Sequence, residues 1–163
     1  DRLKVILAID NGGWSMDPYV TVVQTLFDYT RAQFKDLKTY FFHNTIYSTL
    51  WEDAPRYKKP FRIENCIRFD PETRIIIVGD ASMAPYELMA ADGSIHLEER
   101  SGKRSVDCLQ FLADTFSHCV WLNPIPQKMW SYTQTILAIN NIFPMYELSI
   151  DGLEKAVTHL MSK

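Results

Sequence analysis

Residues 7–20, "LAIDNGGWSMDPYV", decide how the rest of the chain is read. The apolar run from Leu3 to Ile9 lacks polar alternation, the pattern of a strand buried on both faces of a parallel sheet. It stops at Asp10. Gly12 and Gly13 then form a flexible loop, and Pro18 suits the first position of a helix whose N-cap is Asp17. Val20, Val23, Leu26, Phe27 and Phe34 recur near helical spacing, which predicts a helix from Asp17 to Phe34. The same succession of strand, carboxylate, hydroxyl and helix recurs in "IIIVGDASMAPYEL", residues 75–88, where Arg74–Val78 is the strand and Asp80 the acid. Ser15–Tyr19 and Ser82–Tyr86 agree at all but one position. Two readings of this echo stay open. It is either convergence on good turn chemistry, with Ser for local hydrogen bonds and Pro at a helix start, or a pair of loops that face one crevice.

Working outward, Lys38–His43 and Ile46–Glu52 read as strands joined by "HNT", too short a link for a crossover helix, so the pair is antiparallel. A polar, proline-bearing stretch leads to "RIENCIRF", read as a short helix ahead of Arg74–Val78. Beyond it come a short helix in "APYELMAA", a loop or small hairpin in "DGSIHLEERSGKRS", and an amphipathic helix over Val106–Phe116. "CVWLN" is a strand, Tyr132–Ile142 a helix, Met145–Ser149 a last strand and Ile150–Met161 a closing helix capped by Ser149 or Asp151. Strand and helix alternate along nearly the whole length, which predicts an α/β three-layer sandwich around a mostly parallel sheet. With 163 residues and 47% hydrophobic content, the chain is expected to form one domain over residues 1–163.

The net charge of −3 gives no electrostatic footprint for nucleic acid. No stretch approaches the roughly 18–20 apolar residues of a membrane span, so a soluble, cytoplasmic protein is expected. Cys66, Cys108 and Cys119 are odd in number and unrelated in spacing, which predicts reduced, buried thiols in place of a disulfide framework. His43, His96, His118 and His159 show no metal-ligand spacing, and no zinc site is expected. The chain starts at Asp1 and not at a methionine, and it is read as a segment of a longer protein.

Open α/β sheets bind ligands at the carboxyl ends of their strands, where the winding direction reverses. If the first strand and Arg74–Val78 are neighbours there, Asp10 and Asp80 converge with Ser15 between them, an all-oxygen set suited to a hard cation such as Mg²⁺. Alternatively the two aspartates serve only the N–H groups of their own loops. Taken in order, "SMDPY", "FFHN", "IIIVGDASMAPYEL" and "WLNP" make the chain resemble the von Willebrand factor A (VWA) domain, most closely its bacterial CoxE-like branch. The resemblance covers essentially the whole chain. It implies a Rossmann-like sandwich whose central, mostly parallel sheet has six strands, one of them an antiparallel edge strand. It also implies a metal-ion-dependent adhesion site at Asp10, Ser15 and Asp80.

That site departs from its family. Gly12 stands where the first serine belongs, Trp14 is an extra residue, and "YKKPFRIENCIRF" lacks the expected threonine, with Arg62 near its place. Arg62 is either a solvated member of a basic run or a guanidinium that enters the crevice and pairs with Asp10 or Asp80. Mg²⁺ is therefore expected to bind weakly or not at all, as an optional and not a required cofactor. VWA domains bind proteins, and CoxE-like members resemble adaptors for MoxR-type AAA+ ATPases that remodel a client or load its cofactor. The resemblance thus implies a recognition domain that is not an enzyme, with Trp14, Asn11, Arg62 and Ser82 as its partner contacts. Tyr19, Tyr86 and Trp121 are expected around the same mouth or just beneath it, most of them as core or packing residues. The alternative is a metal-dependent phosphohydrolase with Asp10 as nucleophile. It is disfavoured because Gly12 stands two positions after Asp10 in place of a second aspartate, and because "GDASMAPYEL" has no lysine.

Overall fold

Three aliphatic, β-branched runs make the middle of the sheet, and shorter strands flank them on each side. The computed structural model describes residues 2–13, 15–29, 31–94, 96 and 101–162. In chain order the strands are β1 (Leu3–Asp10), β2 (Phe34–Phe42), β3 (Thr49–Trp51), β4 (Pro60–Arg62), β5 (Arg74–Val78), β6 (Cys119–Asn123) and β7 (Met145–Glu147). The helices are α1 (Val20–Tyr29), α2 (Pro85–Met89), α3 (Ser105–Thr115), α4 (Gln134–Asn140) and α5 (Ile150–Met161). They flank one mixed sheet of order β4-β3-β2-β1-β5-β6-β7, a Rossmann-like α/β sandwich. The strands from β2 through β1, β5 and β6 to β7 pair in parallel.

The sheet has seven strands and not six. β3 is antiparallel to β2 as expected, but it lies inside the sheet, because β4 pairs with it antiparallel and takes the edge. Pro60–Arg62 is too short to carry a hydrophobic period, so nothing in its letters marks a strand.

Alternating side chains of the central strands feed two separate cores. Val5, Leu7, Ile76, Val78, Val120 and Leu122 pack under α1 and α5. Ile6, Ala8, Ile75, Ile77, Cys119 and Trp121 pack with α2, α3 and α4 on the other face. The chain therefore leaves β1 toward one face and β5 toward the other, and these two strands are neighbours paired through Ile9 and Val78. The winding reverses between them, which is where open α/β sheets bind their ligands.

Several boundaries differ from expectation. α1 starts at Val20 after a 3-10 turn over Asp17–Tyr19, whose N-cap is Met16 with no side-chain cap bond, so Asp17 sits exposed in the first turn and does not cap. The helix ends at Tyr29, and Phe34 opens β2. Phe34 still faces the same core, where its ring stacks on Phe27 at 5.8 Å, so an apolar residue continued the helical pattern while the backbone had already changed. The "RIENCIRF" helix is a 3-10 helix over Ile63–Arg68. A further 3-10 helix, Gln127–Tyr132, precedes α4, which covers only Gln134–Asn140 of the predicted Tyr132–Ile142 helix. Ser149 does cap α5, accepting the Gly152 N–H at 3.0 Å. The expected loop or hairpin of residues 92–105 lies partly outside the described residues. No helix among the described residues is long and apolar enough to cross a membrane. All three cysteines are buried free thiols, and burial pushes Cys66 up to about 12 and Cys119 up to about 11.

Candidate functional site

Asp10 closes β1 and Asp80 follows β5 by two residues, so register alone places the two acids side by side at one pole. Both are deeply buried, at 1% and 4% exposure. Gly79 makes the approach possible: a Cβ there would lie 3.4 Å from that of Asp10 and 3.2 Å from the Trp121 indole. That indole is wholly buried, and its N–H donates to the Gly79 carbonyl at 2.8 Å. Trp121 is thus a packing residue beneath the strand ends, as expected for most of these aromatics.

The Asp10 carboxyl is held from one side. Its Oδ1 accepts the N–H groups of Gly12 at 3.2 Å and Asn44 at 3.1 Å, while Oδ2 accepts none among the described residues. Burial, reinforced by the nearby Asp80 carboxylate, pushes its pKa up to about 7 against the pull of those two N–H groups and of Arg56. Asn44 has left-handed backbone, φ 67°, and its Nδ2 donates to Glu87 Oε2 at 2.8 Å. Glu87 Oε1 in turn accepts the Ala84 N–H at 3.1 Å, which closes the start of α2. A chain of bonds therefore links the loops after β1, β2 and β5.

The loop after β5 is pinned more heavily. Asp80 Oδ1 accepts the Ser82 N–H at 3.0 Å, and the Asp80 carbonyl accepts from Asn123 Nδ2 at 2.9 Å. Asn123 Oδ1 accepts the Ile125 N–H at 2.8 Å. Ala81, held at φ 57°, offers its carbonyl to the Thr135 hydroxyl at 2.7 Å. Thr135 and Asn123 are both buried, so each satisfies backbone groups that water does not reach.

Gly12, where the family resemblance expects a serine, is filled from outside. A Cβ at Gly12 would come within 2.2 Å of His43 Cδ2. The His43 imidazole occupies the space that a serine side chain at this position would need. It stands edge-on to His96, with ring centroids 4.9 Å apart, and burial first, then His96 and Arg56, lower its pKa. A neutral ring suits this half-buried seat beside a cation.

The expected site residues divide accordingly. Asp10 and Asp80 come together. Ser15 is exposed and makes no hydrogen bond to either acid among the described residues, and Ser82 contributes its backbone N–H while its side chain is exposed. Asn11 is half-buried and committed: its Nδ2 donates to the Ala54 carbonyl at 2.8 Å and its Oδ1 accepts from Arg56 Nε at 3.1 Å. Trp14 lies outside the described residues. Arg62 does not enter the crevice. It is exposed on the edge strand β4 with its Nε 3.3 Å from Glu64 Oε2, and Arg56 is the guanidinium that acts on Asp10. Tyr19 is half-buried and Tyr86 exposed.

These positions do not assemble the donor set the resemblance implies for Mg²⁺. Gly12 offers no side-chain oxygen, Ser15 is exposed with no hydrogen bond to either acid among the described residues, and the gathered side-chain donors reduce to two carboxylates. Among the described residues no group of three or more His, Cys, Asp or Glu side chains is placed to hold a metal ion. Asn44, Arg56, Glu87, Asn123 and Thr135 were not foreseen as parts of the site, although "FFHN", "GDASMAPYEL" and "WLNP" contain Asn44, Glu87 and Asn123.

The class defined by the fold is a Rossmann-like α/β sandwich with two buried acids at the ends of neighbouring strands. Compared with known proteins, the chain matches no family model, and no curated protein is significantly similar to it.

Proposed function

We propose that this chain is a protein-recognition module of the VWA type, resembling the CoxE-like branch, which docks a partner at the crevice between the loops after β1 and β5. The observation that carries the reading is the meeting of Asp10 and Asp80 at the winding reversal, with the Asp80 loop pinned by buried side chains from β6 and α4. A rigid polar notch is a suitable docking seat because little ordering entropy is lost when a partner binds. Mg²⁺ plays no required part, since Gly12 is closed off by His43 and the acids are half-occupied by backbone N–H groups. Trp14, Asn11 and Ser82 belong to the contact face, with Arg56 in the role first considered for Arg62. The partner is a client protein, with a MoxR-type AAA+ ATPase as the associated machine, and the setting is cytoplasmic. The absence of a second aspartate at Gly12 and of a lysine near Asp80 in "GDASMAPYEL" favours binding over phosphohydrolysis.

The test is affinity capture with the chain and its Trp14→Ala, Ser82→Lys and Arg62→Ala variants. One and the same protein retained by wild type and Arg62→Ala but absent from the other two supports docking at the crevice. Equal retention by all of them moves recognition elsewhere. Turnover of an aryl phosphate with Mg²⁺, lost in Asp10→Asn, would replace the binding reading by the enzymatic one.

A further inference from the structure

The loop that joins β3 to β4, residues 52–59, is irregular and exposed, yet its backbone is heavily tied. The Asp53 carboxylate accepts the N–H groups of Tyr57 at 2.9 Å, Lys58 at 3.0 Å and Lys59 at 2.9 Å. The Asp53 carbonyl accepts the Arg56 N–H at 3.0 Å, and the Glu52 N–H donates to the Lys59 carbonyl at 2.9 Å. From outside, Asn11 grips the loop at two points, donating to the Ala54 carbonyl at 2.8 Å and accepting from Arg56 Nε at 3.1 Å. These bonds hold Arg56 in left-handed backbone, φ 58°, a conformation that a non-glycine residue keeps only where its surroundings over-determine it.

What the braced loop presents is one aromatic ring and two ammonium groups. Tyr57 is 78% exposed, and Lys58 and Lys59 are exposed beside it. Neither lysine makes an ion pair or a side-chain hydrogen bond among the described residues. The neighbouring charges are matched elsewhere, Glu52 by Lys38 at 3.3 Å and Arg62 by Glu64 at 3.3 Å. With Asp53 counted as a full negative charge against Arg56, Lys58 and Lys59, the loop carries +2 in a chain of net charge −3, so the remainder carries −5. Even with Arg56 set against Asp10, on which it acts, the loop stays positive.

Magnitudes select the partner. Attraction to an anionic membrane takes clusters of about 4–8 basic residues, and nucleic-acid binders make on the order of 6–10 phosphate contacts. Two lysines fall short of both, and a long polyanion would also run onto the acidic remainder of the surface. A short acidic peptide stays within the loop. An exposed tyrosine is a frequent anchor of protein contacts, and a loop already ordered loses little freedom when a partner arrives.

We propose that the β3–β4 loop docks a short acidic segment of a partner protein, with its carboxylates on Lys58 and Lys59 and an apolar side chain on the Tyr57 ring. The surface uses neither Asp10, Asp80 nor Ser82, so it stands or falls separately from the docking seat proposed above.

The probe is a capped pentapeptide with two glutamates on each side of one phenylalanine, titrated at 0.1 M salt and followed by calorimetry and by the amide shifts of residues 53–59. It is expected to saturate at one site, and versions with glutamine or lysine in place of glutamate to bind about tenfold more weakly or worse. At 1 M salt, where the screening length is about 3 Å, the advantage of glutamate over glutamine should vanish. Lys58→Glu combined with Lys59→Glu, at exposed positions where folding is not at stake, should weaken the acidic peptide at least about tenfold. Tyr57→Ala should weaken it about fivefold or more. Absence of saturable binding overturns the proposal, as does equal affinity for the lysine peptide or binding that the double lysine variant leaves unchanged. Tyr57→Ala without effect overturns the aromatic contact. Tighter binding of an oligothymidylate or of phosphatidylserine vesicles overturns the proposal in favour of a polyanion. Self-association of the protein alone, abolished by the double variant, overturns it in favour of a second copy of this chain.

Discussion

The two near-identical segments Ser15–Tyr19 and Ser82–Tyr86 form an internal control. In both, the serine is exposed, the methionine is buried and the proline opens a helical turn. Yet Met16 plugs the core beneath α1 and α5, and Met83 plugs the core on the opposite face. The same letters send the chain to opposite sides of the sheet because β1 and β5 deliver them at the winding reversal. The loops also differ in how they are held. The second is fastened by the buried side chains of Asn123 and Thr135, whereas the first has glycines at 12 and 13 and is held by its own aspartate and by the half-buried Asn11, bonded to Ala54 and Arg56. Local sequence fixes how a helix starts, and long-range partners fix how firmly the loop before it is held.

That contrast is open to direct attack. The largest loss of stability is expected in the fastened loop: Asn123→Leu leaves the Asp80 carbonyl and the Ile125 N–H unpaired and should cost about 3 kcal/mol, as read by urea denaturation. A loss below about 0.5 kcal/mol, typical of surface changes, would remove the claimed difference between the loops. Next, Gly12→Ser drives a Cβ into the His43 ring and should cost about 2 kcal/mol, the scale of overpacking. The double variant with His43→Ala should recover part of that loss. If Gly12→Ser is neutral, the imidazole is not what fills the position.

The pH response sharpens the comparison further. Asp10 has its folded pKa raised from 3.8 to about 7, so the fold retains a proton that the unfolded chain gives up above about pH 4. Its contribution is most favourable below pH 4, declines as pH rises through the interval to about 7, and is fully lost above it. Asp10→Asn keeps an Oδ1 for the Gly12 and Asn44 N–H groups but cannot ionise. Relative to wild type it should gain up to about 4 kcal/mol between about pH 4 and pH 8 in denaturant titrations. A difference that does not change with pH would mean that Asp10 is ionised in the fold. The smallest effect belongs to Ser15→Ala, whose exposed hydroxyl touches neither acid: a change within about 0.5 kcal/mol is expected from thermal unfolding.

How much of this was readable from the letters follows from the range of each interaction. β1, β5 and β6 announce themselves as unbroken apolar runs, because a strand buried on both faces needs no polar partner in its pattern. Asp10 and Asp80 were legible because each lies at or just past the end of such a run. β4 was not, since three residues set between a lysine pair and an isoleucine carry no period. Phe34 misled because α1 and β2 both feed one core, so hydrophobicity continued through a change of backbone. The fasteners were beyond reach for a different reason. Asn123 and Asp80 are 43 residues apart, and so are Asn44 and Glu87, with no local spacing to connect them. Arg56 and Arg62 sit in one basic run, and only the fold decides that Arg56 is turned toward Asp10 while Arg62 stays on the rim.

The seventh strand bears on behaviour at high concentration. Both outermost strands, β4 and β7, are three residues long, while the middle strands carry the length. On the β4 side the flank is Lys58 and Lys59, and Pro60 has no N–H to offer. Such a tapered, charged and proline-blunted border gives an incoming chain almost no ladder to copy. A chain so rich in aliphatic strands should therefore resist fibril seeding along that border.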